Sequence, residues 1–371
     1  MQERRVVNDT LGPAGPFSTA VVGGGLVFVS GLSGAVEDGK LSGSDIQSQA
    51  RRVLDRLRAI LEQAGSSLGG VASVQVYLRR ADDFEAMNAI YRQYFTEAPP
   101  ARTTVVTALG EGALVAMSAV AVPLGAPREV LHPAGWIKSP RPYSYIVRAG
   151  HLVFLAGLVS RRGNDDAVVP GSVALQTRTI LDNAGVLLKT AGLSYEHVVA
   201  ARVFIGDDSL FEMMNEEYSR YFTSQPPARA TAVTGLMGSE AMVEITLVAS
   251  AAAKQVLGAA VSPSLPLSSA VRTGGLVYLS GVLGNTEANA RDVAAQTREV
   301  VARIRRTLDA AGLSFTHVVD NTIYLPDLAH QRPVDDILHE TFPADPPSRT
   351  AVGAQLVTRT GLIEMMMTAA G

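Results

Sequence analysis

Three arginines follow proline pairs at matching places in the chain. Arg102 lies in "PPARTTVV", Arg229 in "PPARATAV" and Arg349 in "PPSRTAVG". The preceding proline keeps the backbone extended, and each arginine is followed by a run that is typical of a strand. Arginine is rarely buried without a partner, and its guanidinium is the best bidentate partner of a carboxylate. The motif therefore favours an anion-binding arginine, and a solvated arginine that merely records duplication is the alternative.

Two carboxylates interrupt the apolar strands that close the second and third copies of this pattern. Glu244 lies in "MVEITLVA" and Glu364 in "LIEMMMTA", whereas the first copy has Ala116 in "LVAMSAVA". A lone charge in such a strand faces solvent, pairs with a cation, or has a raised pKa in a pocket. A glutamate near one of the arginines could orient or deprotonate a water molecule. An outward-facing strand residue is the plain alternative.

Other kinds of chemistry are disfavoured by the composition. The chain has no cysteine, which excludes disulfides, thiolate metal sites and a cysteine nucleophile. Its six histidines show no metal-binding spacing, so we expect neither a metal nor a cofactor. A net charge of −3 gives no general attraction for nucleic acid or anionic lipid. No apolar run has the length of a signal peptide or a membrane span, and we expect a soluble, cytoplasmic protein.

The arginines and glutamates belong to a module that is written three times. The strings "GGGLVFVSGL", "RAGHLVFLAGL" and "RTGGLVYLSGV" are one element, and the whole repeat is roughly 120 residues long. We place module 1 at residues 1–124, module 2 at 125–252 and module 3 at 253–371. The segments 124–142 and 253–266 are rich in Pro, Gly and Ser, so we interpret them as linkers.

Hydrophobic periodicity predicts the same elements in each module. In module 1, two strands meet at a glycine turn, and an amphipathic helix then ends at Gly65. A strand over Val71–Arg79, a second helix over 82–95 and two closing strands complete the order β-β-α-β-α-β-β. This is an α+β layer with helices on one face of a sheet, and we expect the other modules to cover the opposite face. Tyr77, Phe204 and Tyr324 on the middle strands are expected in the core.

Each module resembles the reactive intermediate deaminase A (RidA) family, also called YjgF or L-PSP endoribonuclease. The family's "GPYSQAV", "LVFVSGQ" and "DFxxVNxxY" are similar to "GPFSTAV", "LVFVSG" and "DDFEAMNAIY" here. The resemblance implies a chorismate-mutase-like α+β fold, normally a homotrimer with a central β-barrel, outer helices and pockets at the three interfaces. Three fused copies would then form a single-chain pseudo-trimer, a monomer with internal pseudo-threefold symmetry.

The resemblance also implies an activity, the hydrolysis of 2-imino and 2-enamino acids to 2-oxo acids and ammonia. In that hydrolase, Arg229 would clamp the substrate carboxylate and Glu244 would hold the attacking water, with Arg349 and Glu364 as their counterparts in module 3. The residues implied in substrate binding are Arg102, Tyr143, Gly31, Gly157, Gly281, Asn88 and Asn215. The implied partner is a small molecule that bears a carboxylate.

Module 2 alone has the tyrosine, arginine and glutamate of the family together. Module 1 has Phe17 for the tyrosine and Ala116 for the glutamate, so at least one pocket is expected to be degenerate. Module 3 has Leu267 for the tyrosine and Asp335 for the asparagine. The sequence leaves open which module's aromatic residue meets which arginine. Two further functions remain as alternatives: a non-catalytic binder of small carboxylates, and an L-PSP-type endoribonuclease acting on single-stranded RNA, which the net charge disfavours.

Overall fold

The computed structural model describes residues 4–9, 15–34, 36–37, 40–41, 45–110, 112–260 and 265–371. Within module 1 it has two helices and eight strands. They are β1 (Arg5–Val7), β2 (Ala20–Gly23), β3 (Leu26–Ser33), β4 (Val36–Glu37), β5 (Lys40–Leu41), α1 (Ile46–Gln63), β6 (Val71–Leu78), α2 (Phe84–Tyr94), β7 (Ala101–Val106) and β8 (Val115–Ala121).

Modules 2 and 3 repeat the order of the helices and of the longer strands. Module 2 contains β9 (Arg128–Leu131), β10 (Ile146–Ala149), β11 (Leu152–Leu155), α3 (Val173–Thr190), β12 (Val198–Ile205), α4 (Phe211–Ser219), β13 (Ala228–Val233), β14 (Gly235–Leu236) and β15 (Val243–Ser250). Module 3 contains β16 (Lys254–Ala260), β17 (Ser268–Thr273), β18 (Leu276–Leu279), β19 (Val282–Leu283), α5 (Val293–Ala310), β20 (Val318–Leu325), α6 (Gln331–Thr341), β21 (Ser348–Gly353), β22 (Gln355–Leu356) and β23 (Glu364–Ala370).

Local signals explain where the predicted elements begin and end. The side chain of Asp45 caps α1 by accepting a hydrogen bond from the Ser48 amide, and Gly65 follows the helix with a φ of +79°. The turn between β2 and β3 uses Gly24 and Gly25, both with positive φ. A Cβ on Gly24 would also overlap with the side chain of Leu276 in module 3, so this turn requires glycine for two reasons.

The structure has three large sheets, one built mainly from each module. Their strand orders are β1-β2-β3-β8-β6-β7-β14, β22-β13-β12-β15-β11-β10-β9 and β16-β17-β18-β23-β20-β21, with β19 paired to β23. The strand before and the strand after the second helix run parallel in every module, because the helix provides the crossover. The remaining pairs in these sheets are antiparallel. Over the described residues none of the three sheets closes into a barrel by itself.

The modules also exchange edge pairing. Strand β14 of module 2 pairs with β7 of module 1, and β22 of module 3 pairs with β13 of module 2. Ala108 and Gly353 form a bridge between modules 1 and 3. Every module therefore has backbone hydrogen bonds to both of the others.

The segments interpreted as linkers contain strands, which the sequence interpretation missed. Strand β9 pairs with β10, and β16 pairs with β17, each at the first edge of its module's sheet. Both are edge strands whose pairing depends on a partner elsewhere in the module, and the surrounding Pro and Gly residues hide their weak local pattern.

The hydrophobic core has four parts. Three of them lie between the sheet and the helices of one module each. The fourth part joins the opposite sheet faces of all three modules. It contains Tyr77, Phe204 and Tyr324, and the last two rings meet edge to face with centroids 6.3 Å apart. The other modules thus cover each free sheet face, as the α+β pattern predicted. Of the helices in the described ranges, none combines the length and apolar character needed for a membrane span.

Candidate functional site

Each of the three arginines lies at the junction with the following module. The carbonyl oxygen of Arg102 accepts a hydrogen bond from the Gly157 amide at 3.1 Å, which joins module 1 to module 2. The carbonyl oxygen of Arg229 accepts one from the Gly281 amide at 3.0 Å, which joins module 2 to module 3. The Arg349 amide donates to the Ser30 hydroxyl at 2.8 Å and joins module 3 back to module 1. The sequence left open which module each arginine meets. In the structure, each arginine contacts the next module.

A first cavity of about 170 Å³ lies between modules 1 and 2, and Arg102 forms part of its wall. The Arg102 side chain is only 3% exposed, and its Cζ lies 4.8 Å from the ring centroid of Tyr91 and 5.6 Å from that of Tyr143. Its Nη1 is buried and has no hydrogen-bond partner among the described residues. A buried guanidinium N–H that faces aromatic rings retains its capacity to bind an anion.

Glu244 on β15 reaches the same cavity from module 2. A Cβ on Gly157 would overlap with Glu244 Oε1 and would lie 3.0 Å from Thr103 Cγ2, so the carboxyl group occupies the space beside the glycine. Burial raises the pKa of Glu244 to about 8, although a backbone hydrogen bond from Thr104 and the charge of Arg102 act in the opposite direction. A carboxyl group with this pKa can exchange a proton near neutral pH.

A second cavity of about 410 Å³ lies between modules 2 and 3 and repeats the arrangement around Arg229. Nη2 of Arg229 donates a hydrogen bond to Asn215 Oδ1 at 2.8 Å, and Cζ of Arg229 lies 4.8 Å from the ring centroid of Tyr218. Within the described ranges, Nε and Nη1 of Arg229 are buried without a hydrogen-bond partner. The same nitrogen atoms are therefore free to bind a carboxylate.

Glu364 on β23 faces this second cavity from module 3. A Cβ on Gly281 would overlap with Glu364 Oε1, and burial raises the pKa of Glu364 to about 8 against a Thr231 backbone hydrogen bond and the charge of Arg229. Its Oε2 has no hydrogen-bond partner in the part of the chain that the structure describes. The two cavities thus share one plan: an arginine from one module and a glutamate beside a glycine from the next.

The junction between modules 3 and 1 departs from this plan. Arg349 forms an ion pair with Asp335 of its own module, and its Cζ lies 4.4 Å from the ring centroid of Phe17. The position of the glutamate is taken by Ala116, whose methyl group cannot accept or donate a proton. The guanidinium charge is already neutralised here, and no glutamate stands at that position.

The grouping of residues implied by the resemblance needs one correction. Tyr143, Gly157 and Glu244 line the cavity of Arg102, whereas Arg229 lines the other cavity with Gly281 and Glu364. Arg229 and Glu244 of module 2 therefore lie in different cavities, each of which is lined by residues of two neighbouring modules.

The remaining predicted binding residues have different surroundings. Asn215 holds the guanidinium of Arg229, whereas Asn88 is buried with neither amide atom hydrogen-bonded to any described residue. Gly31 packs at the third junction, where a Cβ would lie 3.1 Å from Thr350 Cγ2.

Three charged residues at the first cavity were missed by the sequence interpretation. Arg141 and Arg161 line this cavity, and both form ion pairs with Asp166. A signal existed for Arg141, because "SPRPYS" of module 2 contains an arginine that the matching "LGPAGPFS" and "SPSLPLS" lack. In the described ranges, no group of three His, Asp or Glu side chains is arranged to hold a metal ion.

The chain is a tandem of three α+β modules, with a cavity at the junction of modules 1 and 2 and another at the junction of modules 2 and 3. The family model described as Endoribonuclease L-PSP matches residues 7–123, 136–251 and 257–371. The chain therefore belongs to this family, the RidA/YjgF family, and contains three copies of its module. The predicted resemblance is confirmed.

Individual relatives match one module at a time. A RutC family protein of Pyrococcus abyssi is 42% identical over 111 residues, which cover 29% of this chain and 87% of that protein. The 3-aminoacrylate deaminase RutC of Acinetobacter baylyi is 32% identical over 123 residues, which cover 33% of this chain and 98% of that enzyme. A crystal structure of a chorismatase aligns with 81% of this chain and 93% of its own, with a TM-score of 0.56 at 12% identity. That last likeness is one of fold alone.

Proposed function

We propose that the chain hydrolyses 2-imino and 2-enamino acids to 2-oxo acids and ammonia at its first two junctions. One observation carries the proposal: in both cavities a buried arginine with free N–H groups and a buried glutamate with a pKa near 8 come from neighbouring modules. The deaminase activity named for the related RutC agrees with this chemistry.

The arrangement supports a short reaction sequence. Arg102 or Arg229 binds the substrate carboxylate, which places the electrophilic imine carbon beside the glutamate. The glutamate accepts a proton from water as the water oxygen bonds to that carbon, and the imine nitrogen takes up a proton. Solvent supplies this proton to the nitrogen, and the glutamate then returns its own proton to it. As the carbon–nitrogen bond breaks, the ionised glutamate takes the hydroxyl proton, so ammonia leaves and the carbonyl of the 2-oxo acid forms. The glutamate finally releases this proton to solvent. A 2-enamino acid enters the same sequence after protonation at its third carbon.

For the third junction we propose a structural role in place of catalysis. The ion pair with Asp335 satisfies Arg349, and Ala116 supplies no proton acceptor. Arg349 was expected to be catalytic by resemblance, and we now assign it to holding modules 3 and 1 together.

We also propose that the chain is a monomeric pseudo-trimer whose three sheets surround the shared core as a central barrel. The edge pairing of β7 with β14 and of β13 with β22, together with the bridge between Ala108 and Gly353, supports a closed ring of modules. The module boundaries at 124 and 252 stay part of this proposal.

The function can be tested by following ammonia release from an imine that an amino acid oxidase generates in the same solution. We expect wild type to release ammonia faster than the uncatalysed reaction. Glu244→Gln should remove the contribution of the first cavity, and Glu364→Gln should remove that of the second. The double variant should match the uncatalysed rate. A wild-type rate equal to the uncatalysed rate would reject the deaminase. If such a chain still bound 2-oxo acids, the non-catalytic carboxylate binder would replace it.

A further inference from the structure

The two cavities differ in the charges around the substrate. Besides Arg102, the first cavity is lined by Arg141 and Arg161. Besides Arg229, the second is lined by Arg303, which forms an ion pair with Glu299 at 2.7 Å. The additional arginines therefore distinguish the first cavity from the second.

Arg141 lies close to the proposed carboxylate clamp. The Cζ atoms of Arg141 and Arg102 are each 5.7 Å from the ring centroid of Phe84, and the charge of Arg141 acts to lower the pKa of Arg102. Like charges this close repel each other, and a bound anion between them would relieve the repulsion.

One carboxylate serves the two additional arginines. Nη1 of Arg141 lies 3.3 Å and Nη1 of Arg161 lies 3.2 Å from the same Asp166 oxygen, Oδ2. Nε of Arg141 is buried and makes no hydrogen bond to the described residues. Their side chains are 28% and 26% exposed, so they are partly shielded from water and still reachable from the cavity. The pair keeps donor capacity and one uncompensated positive charge.

A charge count separates the cavities. Around the first, three arginines and the single carboxylate of Asp166 leave two positive charges beside Glu244. Around the second, the two lining arginines and Glu299 leave one positive charge beside Glu364; the exposed Arg306, which also contacts Glu299 at 3.5 Å, does not line the cavity. The first environment matches a dianion and the second a monoanion.

We propose that the first cavity selects 2-imino acids whose side chain ends in a second carboxylate, which Arg141 and Arg161 bind while Arg102 binds the first. The second cavity takes monocarboxylates with apolar side chains, since it is larger and Leu267, Val282 and Leu283 line it. This inference rests on the proposed function, because it assigns a substrate class to each of the two proposed pockets.

Binding of stable 2-oxo acids tests the inference without relying on turnover. Isothermal titration calorimetry is performed with 2-oxoglutarate and with 5-methyl-2-oxohexanoate, in which two methyl groups replace the terminal carboxylate oxygens. The Arg229→Met background reports the first cavity, and the Arg102→Met background reports the second. In the first background we expect 2-oxoglutarate to bind about tenfold more tightly or better, because hydrogen bonds to charged groups are strong. In the second background the preference should reverse.

Variants of the additional arginines locate the effect. In the Arg229→Met background, Arg141→Met and Arg161→Met should each weaken 2-oxoglutarate binding about tenfold and leave the methyl analogue unchanged. Arg162→Met is the matched control, because Arg162 pairs with Asp165 outside the cavity. Arg141→Lys keeps the charge and should recover part of the affinity, which separates a lost contact from a misfolded protein.

Two results would overturn the inference: equal affinity for both acids in the Arg229→Met background, or an equal loss of 2-oxoglutarate binding in Arg162→Met and Arg161→Met. The outcome is independent of catalysis. A protein that prefers the dicarboxylate and releases no ammonia contradicts only the proposed function. A protein that releases ammonia and shows no preference contradicts only this inference.

Discussion

The amide of Gly157 donates a hydrogen bond to the carbonyl oxygen of Arg102 at 3.1 Å, across the boundary between two modules. The same contact joins Gly281 to Arg229 at 3.0 Å. Each glycine also leaves room for a glutamate of its own module. One backbone contact therefore places the arginine of one module opposite the glutamate of the next.

Replacing either glycine by alanine should damage only its own cavity. In Gly157→Ala the new methyl group overlaps with the carboxyl of Glu244, and in Gly281→Ala with that of Glu364. We expect each variant to lose most of the ammonia release of that cavity and about 1–3 kcal/mol of stability, as overpacking in a core does.

Gly31→Ala is the matched control at the third junction. Its methyl group would meet Thr350 Cγ2 at 3.1 Å, a contact that a small shift relieves. Ammonia release should stay at the wild-type level. Equal losses of activity in Gly31→Ala and Gly157→Ala would mean that the glycines matter for assembly alone.

The pH dependence of catalysis should follow the glutamates. Burial raises the pKa of Glu244 and of Glu364 to about 8, and the ionised form is the one that accepts a proton from water. Below this pH, kcat/KM should fall about tenfold for each pH unit, and the double glutamine variant, which stays at the uncatalysed rate, should not show this dependence. A wild-type profile that is flat from pH 6 to 8 would exclude both groups as proton acceptors.

The helices and inner strands were predictable because their patterns are local. The apolar stripe of α1 and the glycine at its end indicate the helix from sequence alone. Strands β9 and β16 escaped detection since an edge strand forms through pairing with another strand. The arginine recurs visibly in every module and the glutamate in two of them, yet the partner of each arginine depends on how the modules dock.

Stability should depend on pH through the same carboxyl groups. The pKa of Glu364 is about 8 in the folded state and near its ordinary value of 4.5 in the unfolded state. Between these values the folded chain retains a proton that the unfolded chain has lost, so the free energy of unfolding decreases as pH rises. The change is about 1.4 kcal/mol for each unit by which the pKa is shifted.

Thermal unfolding of wild type and Glu364→Gln from pH 5 to 8 measures this effect. The glutamine variant lacks the titrating group. The melting temperature of wild type should therefore fall by a few degrees relative to that of the variant as pH rises. A difference that stays constant over this range would show that Glu364 is ionised in the folded protein throughout.

The third junction should depend on its internal ion pair. Asp335→Ala leaves the charge of Arg349 buried without its partner, and Arg349 is only 5% exposed. We expect a loss of about 2–3 kcal/mol in the free energy of unfolding, because an uncompensated buried charge is strongly unfavourable. Urea unfolding of Asp335→Ala beside Asp336→Ala, which changes an exposed neighbour, measures the loss. Equal stability of the two variants would contradict the structural role of Arg349.

The pairing of modules can be tested most directly with two double variants in the ammonia-release assay. Arg102→Met with Glu244→Gln alters two modules and only the first cavity, so the second cavity should continue to work. Arg229→Met with Glu244→Gln alters only module 2 and damages both cavities, so ammonia release should fall to the uncatalysed rate. The reverse result, with activity retained in the second variant and lost in the first, would contradict sites shared between modules.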